Sequence, residues 1–266
     1  MRSIRVLRVF TRKDLGGNHL GVLADAAGLD TAAMQQVAAE LGFSETIFLI
    51  PQESGVPLIR IFTPAAEMPF AGHPLVGAAW IYGVDQAGGT GRLECAVGEI
   101  PFRVEGDQVW VETPMVGDVE KATDGEEIAA ASRLPTTGRI WWVRMPLPYL
   151  VVEAPSAAAV AAASPDFGTL LAGPAGEAAY LFARDGSVVK ARFFAAGLGV
   201  PEDPATGSAA AALAAVLAFE GEKEGRLSID QGDEIGHPST IELSWNPAGA
   251  SLGGTVRPDG EQWLEA

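Results

Sequence analysis

A single cysteine, Cys95, rules out any disulfide within the chain, and a reducing compartment is the natural home of such a sequence. Histidine is nearly as scarce. His19, His73 and His237 stand far apart, without the paired spacing of metal ligands, so no metal site is expected. Positive charge is in short supply: 18 Lys and Arg face 34 Asp and Glu, for a net charge of −16. A chain this acidic lacks the basic surface that nucleic acid demands. No apolar stretch approaches the roughly 20 residues that cross a membrane. The short apolar run at 6–10 is broken by Arg8 and is no signal-peptide core. The expected location is therefore the cytoplasm. Neither a G-x-G-x-x-G sequence opening a strand–helix unit nor a P-loop is present, and no cofactor is expected.

What is present comes twice. The 266 residues, 48% of them hydrophobic, suffice for one large domain or two ordinary ones. Ile59-Arg60-Ile61-Phe62 leads into Glu67-Met68-Pro69-Phe70-Ala71-Gly72-His73 and an apolar run over 74–82. Ala191-Arg192-Phe193-Phe194 leads into Glu202-Asp203-Pro204-Ala205-Thr206-Gly207-Ser208 and an apolar run over 209–219. The motif glutamates are 135 residues apart. Upstream, Glu45-Thr46-Ile47-Phe48-Leu49 matches Glu177-Ala178-Ala179-Tyr180-Leu181 at an offset of 132, each glutamate fifteen residues before its arginine. An internal duplication explains several matches in one order.

Strands are expected at 5–10, 46–50, 58–62, 92–97, 108–112, 139–143 and 179–183, which are apolar and β-branched between turn residues. Residues 30–41 read as an amphipathic helix capped by Asp30 or Thr31, and the alanine-rich 154–163 as a second. The polar stretch 118–127 is the expected crossing between halves. The fold class is then α+β: two pseudo-symmetric lobes, 1–117 and 118–266, each a curled mixed β-sheet around a central apolar helix, with the C-terminal residues free to return to the first lobe.

The helices after Gly72 and Gly207 have no polar face, so each should be buried all round. Their first amides lack partners within the helix and carry partial positive charge. If both starts face one cleft, a small carboxylate fits there, or a substrate that develops negative charge. Acid/base candidates nearby are Glu45, His73, Asp203, Glu67 and Glu202. Glu45 heads an otherwise apolar strand, where partial desolvation would tune a carboxyl. The plainer alternative takes Ser208 and Pro74 as ordinary helix-start residues and Glu45 as a solvated strand end.

Three segments then resemble the PhzF-like (phenazine biosynthesis-like) family: Phe43-Ser44-Glu45-Thr46, the run from Phe62 to Pro74, and the run from Gly199 to Ala209. Gly17-Asn18, Gln231-Gly232 and Gly236-His237-Pro238-Ser239 fit as well, and the matches span nearly the whole chain. The resemblance implies the diaminopimelate-epimerase fold, with the active site between two lobes, and a cofactor-independent proton shift on a small anionic substrate. It implies Glu45 as the acid/base, with His73 and Asp203 as its catalytic partners. It further implies Asn18, Gly72, Gly207 and Ser208 as substrate-binding positions, and it suggests a homodimer. Two departures bear on the substrate. His19 stands where the family has proline, and His237 where it has arginine, which removes a fixed cation. Relatives that racemise amino acids use two cysteines at positions occupied here by Ala71 and Thr206, so two-thiol chemistry is excluded.

Other classes fare worse. A Ser208–His73–Asp203 hydrolase triad lacks the Gly-x-Ser-x-Gly elbow. The remaining alternative is a small-molecule binder that keeps the cleft without the chemistry, against which stands the joint presence of Glu45, His73 and Asp203.

Overall fold

The computed structural model describes residues 2–84, 89–113, 117–144, 148–172, 178–198 and 200–264. Glu177 and Gly199, which take part in the sequence matches, lie outside these residues. The chain divides into two compact units, Met1–Glu112 with Leu252–Ala266, and Thr113–Ser251.

In chain order the elements begin with β1 (Arg2–Thr11), β2 (Asn18–Leu23), α1 (Thr31–Leu41), β3 (Glu45–Ile50), β4 (Leu58–Phe62) and β5 (Glu67–Met68). They continue with α2 (Gly72–Val84), β6 (Thr90–Cys95), β7 (Gly98–Glu105), β8 (Gln108–Thr113), β9 (Val119–Lys121) and α3 (Gly125–Ala131). Next come β10 (Ile140–Arg144), β11 (Pro148–Glu153), α4 (Ala157–Ala162), α5 (Phe167–Ala172), β12 (Ala179–Asp185), β13 (Val188–Ala195) and β14 (Val200–Asp203). The last are α6 (Gly207–Phe219), β15 (Gly225–Gln231), β16 (Ser239–Asn246) and β17 (Gly249–Leu264).

The pairing pattern is written twice. In the first unit β2 runs parallel to β3 across the crossover helix α1, β3 is antiparallel to β4, and β4 to β5. β4 then runs parallel to β6, which turns back into β7. In the second unit β11 runs parallel to β12 across α4 and α5, β12 is antiparallel to β13, and β13 to β14. β13 runs parallel to β15, which turns back into β16. Parallel neighbours need a crossover, and in both units a helix supplies it. The lobes are thus pseudo-symmetric mixed sheets, as the duplicated sequence requires.

Each apolar helix lies enclosed by strands of its own unit. On α2, Leu75, Val76, Ala78 and Ala79 have no solvent exposure, and α2 touches β1, β2, β3, β4, β6 and β7. On α6 the residues from Ala209 to Leu217 are all buried, with β9, β10, β11 and β16 around them. A helix with no polar face is stable only in such a setting. Close packing shows at Gly77, where a Cβ would come within 2.3 Å of the Leu20 side chain. α1 covers the outside of the first sheet: Met34 and Ala38 join Ile4, Leu23, Phe48 and Phe62 in one cluster. Asp30 caps it by accepting from the Ala33 amide at 2.8 Å, and Gly42 ends it in the left-handed region at φ 66°.

Strand register corrects one detail of the sequence match. Phe48 stands opposite Arg60, and Leu181 opposite Arg192. That places β3 on β12 at an offset of 133, one more than the 132 between the arginines. The place of Glu45 in the second unit therefore belongs to Ala178, which is fully buried, and not to Glu177. Backbone pairing overrides the similarity of two glutamates one residue apart in alignment.

Candidate active site

Three of the residues singled out from sequence come together in the first unit. Glu45 opens β3, His73 is the second residue of α2, and Asn18 opens β2. The parallel β2–β3 pairing puts Leu20 beside Glu45, which brings the strand openings onto one edge. Glu45 Oε2 lies 3.4 Å from His73 Nδ1, and Asn18 Nδ2 lies 3.4 Å from the same nitrogen. Ser44 donates its hydroxyl proton to Asn18 Oδ1 at 2.9 Å. Asn18 and His73 are buried, while the Glu45 side chain keeps 19% exposure. Glu45 is thus neither sealed in nor a solvated strand end.

Burial sets the charge state here. Desolvation pushes the His73 imidazole down to about 3, with proximity to His19 acting in the same direction and a backbone hydrogen bond with His19 opposing it. His73 is neutral at ordinary pH, so its approach to Glu45 is not an ion pair. With the Asn18 oxygen taken by Ser44, the Asn18 amide faces His73 Nδ1. Nδ1 is thus the ring nitrogen that both Asn18 and Glu45 approach.

In the second unit Asp203 ends β14, and its carboxylate accepts from the Thr206 hydroxyl at 2.5 Å. Gln231, at the end of β15 and wholly buried, donates to the Asp203 carbonyl at 2.7 Å and to Thr206 Oγ1 at 3.0 Å. Gly207 begins α6 and Ser208 follows it. The cap position of α6 is Thr206, and the Ser208 hydroxyl pairs with that of Tyr149 at 3.0 Å. Tyr149 is itself buried against the edge of Phe193, with ring centroids 5.2 Å apart. Gly72 opens α2, where the Leu75 amide is the first to reach back, to Ala71.

Glu67 and Glu202 are removed from the acid/base candidates. Both form forked ion pairs with the arginine of their own repeat, Arg60 at 2.6 Å in each arm and Arg192 at 2.8 and 2.7 Å. Each arginine also lies over the phenylalanine two residues on, Phe62 at 5.1 Å and Phe194 at 4.9 Å. These are duplicated braces of the sheets. Cys95 is buried at the end of β6, and burial pushes its thiol up.

Sequence reasoning missed Tyr149, Thr206 and Gln231 as partners. Gln231 and Ser44 lay inside quoted motifs, whereas Tyr149 carries no local signal. His19 stacks on Phe43, with ring centroids 5.6 Å apart, and its Nε2 lies 3.1 Å from Asp259. His237 contributes backbone, its amide donating to Gly232 and its carbonyl accepting from Ser239. No group of three or more His, Cys, Asp or Glu able to hold a metal occurs among the described residues. No helix among them is long and apolar enough to cross a membrane.

The family model described as phenazine biosynthesis-like protein matches residues 7–255. The trans-2,3-dihydro-3-hydroxyanthranilate isomerase of Pseudomonas chlororaphis is 36% identical over 249 residues, covering 91% of this chain and 89% of that one. The crystal structure of a PhzF-family phenazine biosynthesis protein from Bacillus anthracis superposes with a TM-score of 0.84 at 21% identity, covering 100% of this chain and 99% of that one. A hydroxyproline epimerase from Agrobacterium vitis shares the fold alone, with a TM-score of 0.65 at 11% identity, covering 98% and 93%.

Proposed function

Because the chain belongs to the phenazine biosynthesis-like family, a family of isomerases in its characterised relatives, we propose that it shifts a proton on a small carboxylate-bearing, cyclic or unsaturated substrate without a cofactor. Glu45 is the acid/base. His73 and Asp203 position the reacting groups, and Asn18, Gly72, Gly207 and Ser208 bind the substrate.

The observation that carries this reading is the Glu45–His73–Asn18 arrangement. A carboxyl with 19% exposure can reach a substrate and still exchange protons with water. His73 Nδ1 lies 3.4 Å from Glu45 Oε2, and the ring stays neutral through burial. A neutral imidazole beside Glu45 adds no positive charge that would hold the carboxyl ionised. Ser44 holds Asn18, whose amide faces the imidazole. The first-turn amides of α2 and α6 favour an anion, whether the substrate carboxylate or the charge that develops as a C–H proton leaves.

The test is Glu45→Gln, which keeps shape and hydrogen bonding but removes the transferable proton. The first substrate to assay is trans-2,3-dihydro-3-hydroxyanthranilate, the compound named in the Pseudomonas relative, followed by other cyclic amino and hydroxy acids. Turnover should fall by about 10²–10⁴ while KM changes little. In D₂O the unsubstituted enzyme should place deuterium at the new C–H bond. A folded Gln variant with undiminished turnover would overturn the role of Glu45.

A further inference from the structure

Hydrogen atoms in the Asp203 network can be placed from donors and acceptors alone. The Asp203 carbonyl oxygen can only accept, so the Gln231 atom 2.7 Å from it is the amide nitrogen, and the side chain cannot be reversed. The same nitrogen lies 3.0 Å from Thr206 Oγ1 and gives its second proton there. With one proton received, the Thr206 hydroxyl turns its own proton to Asp203 Oδ2, at the short distance of 2.5 Å typical of a hydroxyl on a carboxylate. The direction of every bond follows: Gln231 to Thr206 to Asp203.

We propose that Gln231 and Thr206 are positioning residues, a relay that holds the Asp203 carboxyl ionised and fixes its rotation for the reaction. The proposal rests on the reading above only in taking Asp203 as a residue of the site. Three further observations support it. Gln231 is fully buried and Thr206 and Asp203 nearly so, which strengthens each bond by excluding water. Gln231 Oε1 meets no donor among the described residues, so this side chain is kept in the interior for its two donors at the cost of a stranded acceptor.

The third observation is the backbone that brings the parts together. Gly232, at φ 85°, packs so closely that a Cβ there would lie 2.3 Å from the His237 carbonyl oxygen and 2.6 Å from that of Pro204. The end of β15 is thereby pressed against the loop that carries Asp203 and Thr206. The relay belongs to one copy of the repeat. At the offset of 135 the positions of Asp203 and Thr206 are held by Met68 and Ala71, neither able to take part. The neighbouring Glu202 is tied to Arg192, so its charge does not fall on Asp203 alone.

The test reads Asp203 directly, by carbon NMR of its labelled carboxyl in the full chain without substrate. In Thr206→Val, which keeps volume and removes the hydroxyl, the Asp203 titration should move up by about one to two pH units, the scale of a lost bond to a charged group. Thr206→Ser should restore the midpoint to within a few tenths of a unit. The unsubstituted protein supplies a second reading that needs no folded variant: a Thr206 hydroxyl proton protected from exchange, which shifts as Asp203 titrates. In Gln231→Leu that protection should be lost. A Val variant that titrates like the parent, or no protected hydroxyl in the parent, would overturn the relay. Turnover of Glu45→Gln is independent of both measurements, so the relay and the proton shift can fail separately.

Discussion

The duplicated arginine–glutamate brace offers one interaction in two environments, and so an internal control. In the second unit the Arg192 and Glu202 side chains are each 9% exposed; in the first, Arg60 and Glu67 are 21% and 38% exposed. The forks are alike, but Arg192 also donates to the carbonyls of Ala163 at 2.6 Å and Val160 at 3.3 Å, at the end of α4. Changing Glu202 to Gln leaves a guanidinium buried without its counter-charge, which costs about 3–5 kcal/mol. Changing Glu67 to Gln removes a pair that water already screens, worth about 1 kcal/mol or less. With a urea m-value of roughly 3 kcal/mol per molar, Glu202→Gln should lower the midpoint by about 1–2 M and Glu67→Gln by about 0.3 M or less. Unfolding followed by tryptophan fluorescence and far-ultraviolet circular dichroism together would check both values and the cooperativity of the transition. Equal shifts in the two variants would refute the argument, since the second brace is the more buried and its arginine is held by backbone carbonyls where Arg60 has only the Thr31 hydroxyl.

Other consequences are equally open to measurement. The folded His73 titrates near 3 rather than 6.5, so the unfolded chain binds its proton first as pH falls. That contribution is complete above about pH 6.5 and is lost as pH falls toward 3, amounting to about 2 kcal/mol by pH 5. The pH dependence of urea unfolding should be shallower by that amount in His73→Gln, and a parallel slope would contradict it. Cys95 should resist alkylation in the folded protein, because burial both hides the thiol and keeps it protonated; Cys95→Ala should retain full turnover per folded molecule. Gly232→Ala forces a Cβ onto two carbonyl oxygens in the left-handed region and should cost at least about 2 kcal/mol. An alanine variant with parental stability would show that the turn relaxes freely.

The architecture was legible because its strongest signals are physical necessities. Two helices without a polar face can only sit inside curled sheets, and α2 and α6 do. The start of α1 follows local chemistry and was equally readable, Asp30 being one of its two candidate caps. Strands such as β7 and β16 were not, since their alternation of exposed and buried residues is interleaved with charged side chains and turns. The candidate site was legible where motifs name residues: Glu45, His73 and Asn18 converge because the openings of β2, β3 and α2 share an edge. Partners supplied by distant strands carry no local pattern. Tyr149 reaches Ser208 across 59 residues and Gln231 reaches Thr206 across 25, distances set by sheet pairing rather than by neighbourhood. The brace glutamates misled for a related reason. An E-x-P-x-x-G motif announces a carboxylate beside a helix start, but only the fold reveals the arginine that neutralises it.

The last strand bears on how the chain folds as it is made. β17 pairs with β1 from Arg2 opposite Leu264 to Thr11 opposite Thr255, so the first unit contains both the earliest and the latest segments described. The second unit, by contrast, is one continuous stretch from Thr113 to Ser251. During synthesis the unit that starts first must wait for the ribosome to deliver residues beyond 251, while the unit begun later already has its whole sheet. Until then β1 displays an unpaired edge with apolar residues such as Val6, Leu7 and Val9, the kind of edge that invites association with other chains. The vulnerable interval in the life of this protein is thus the time needed to translate the inserted unit.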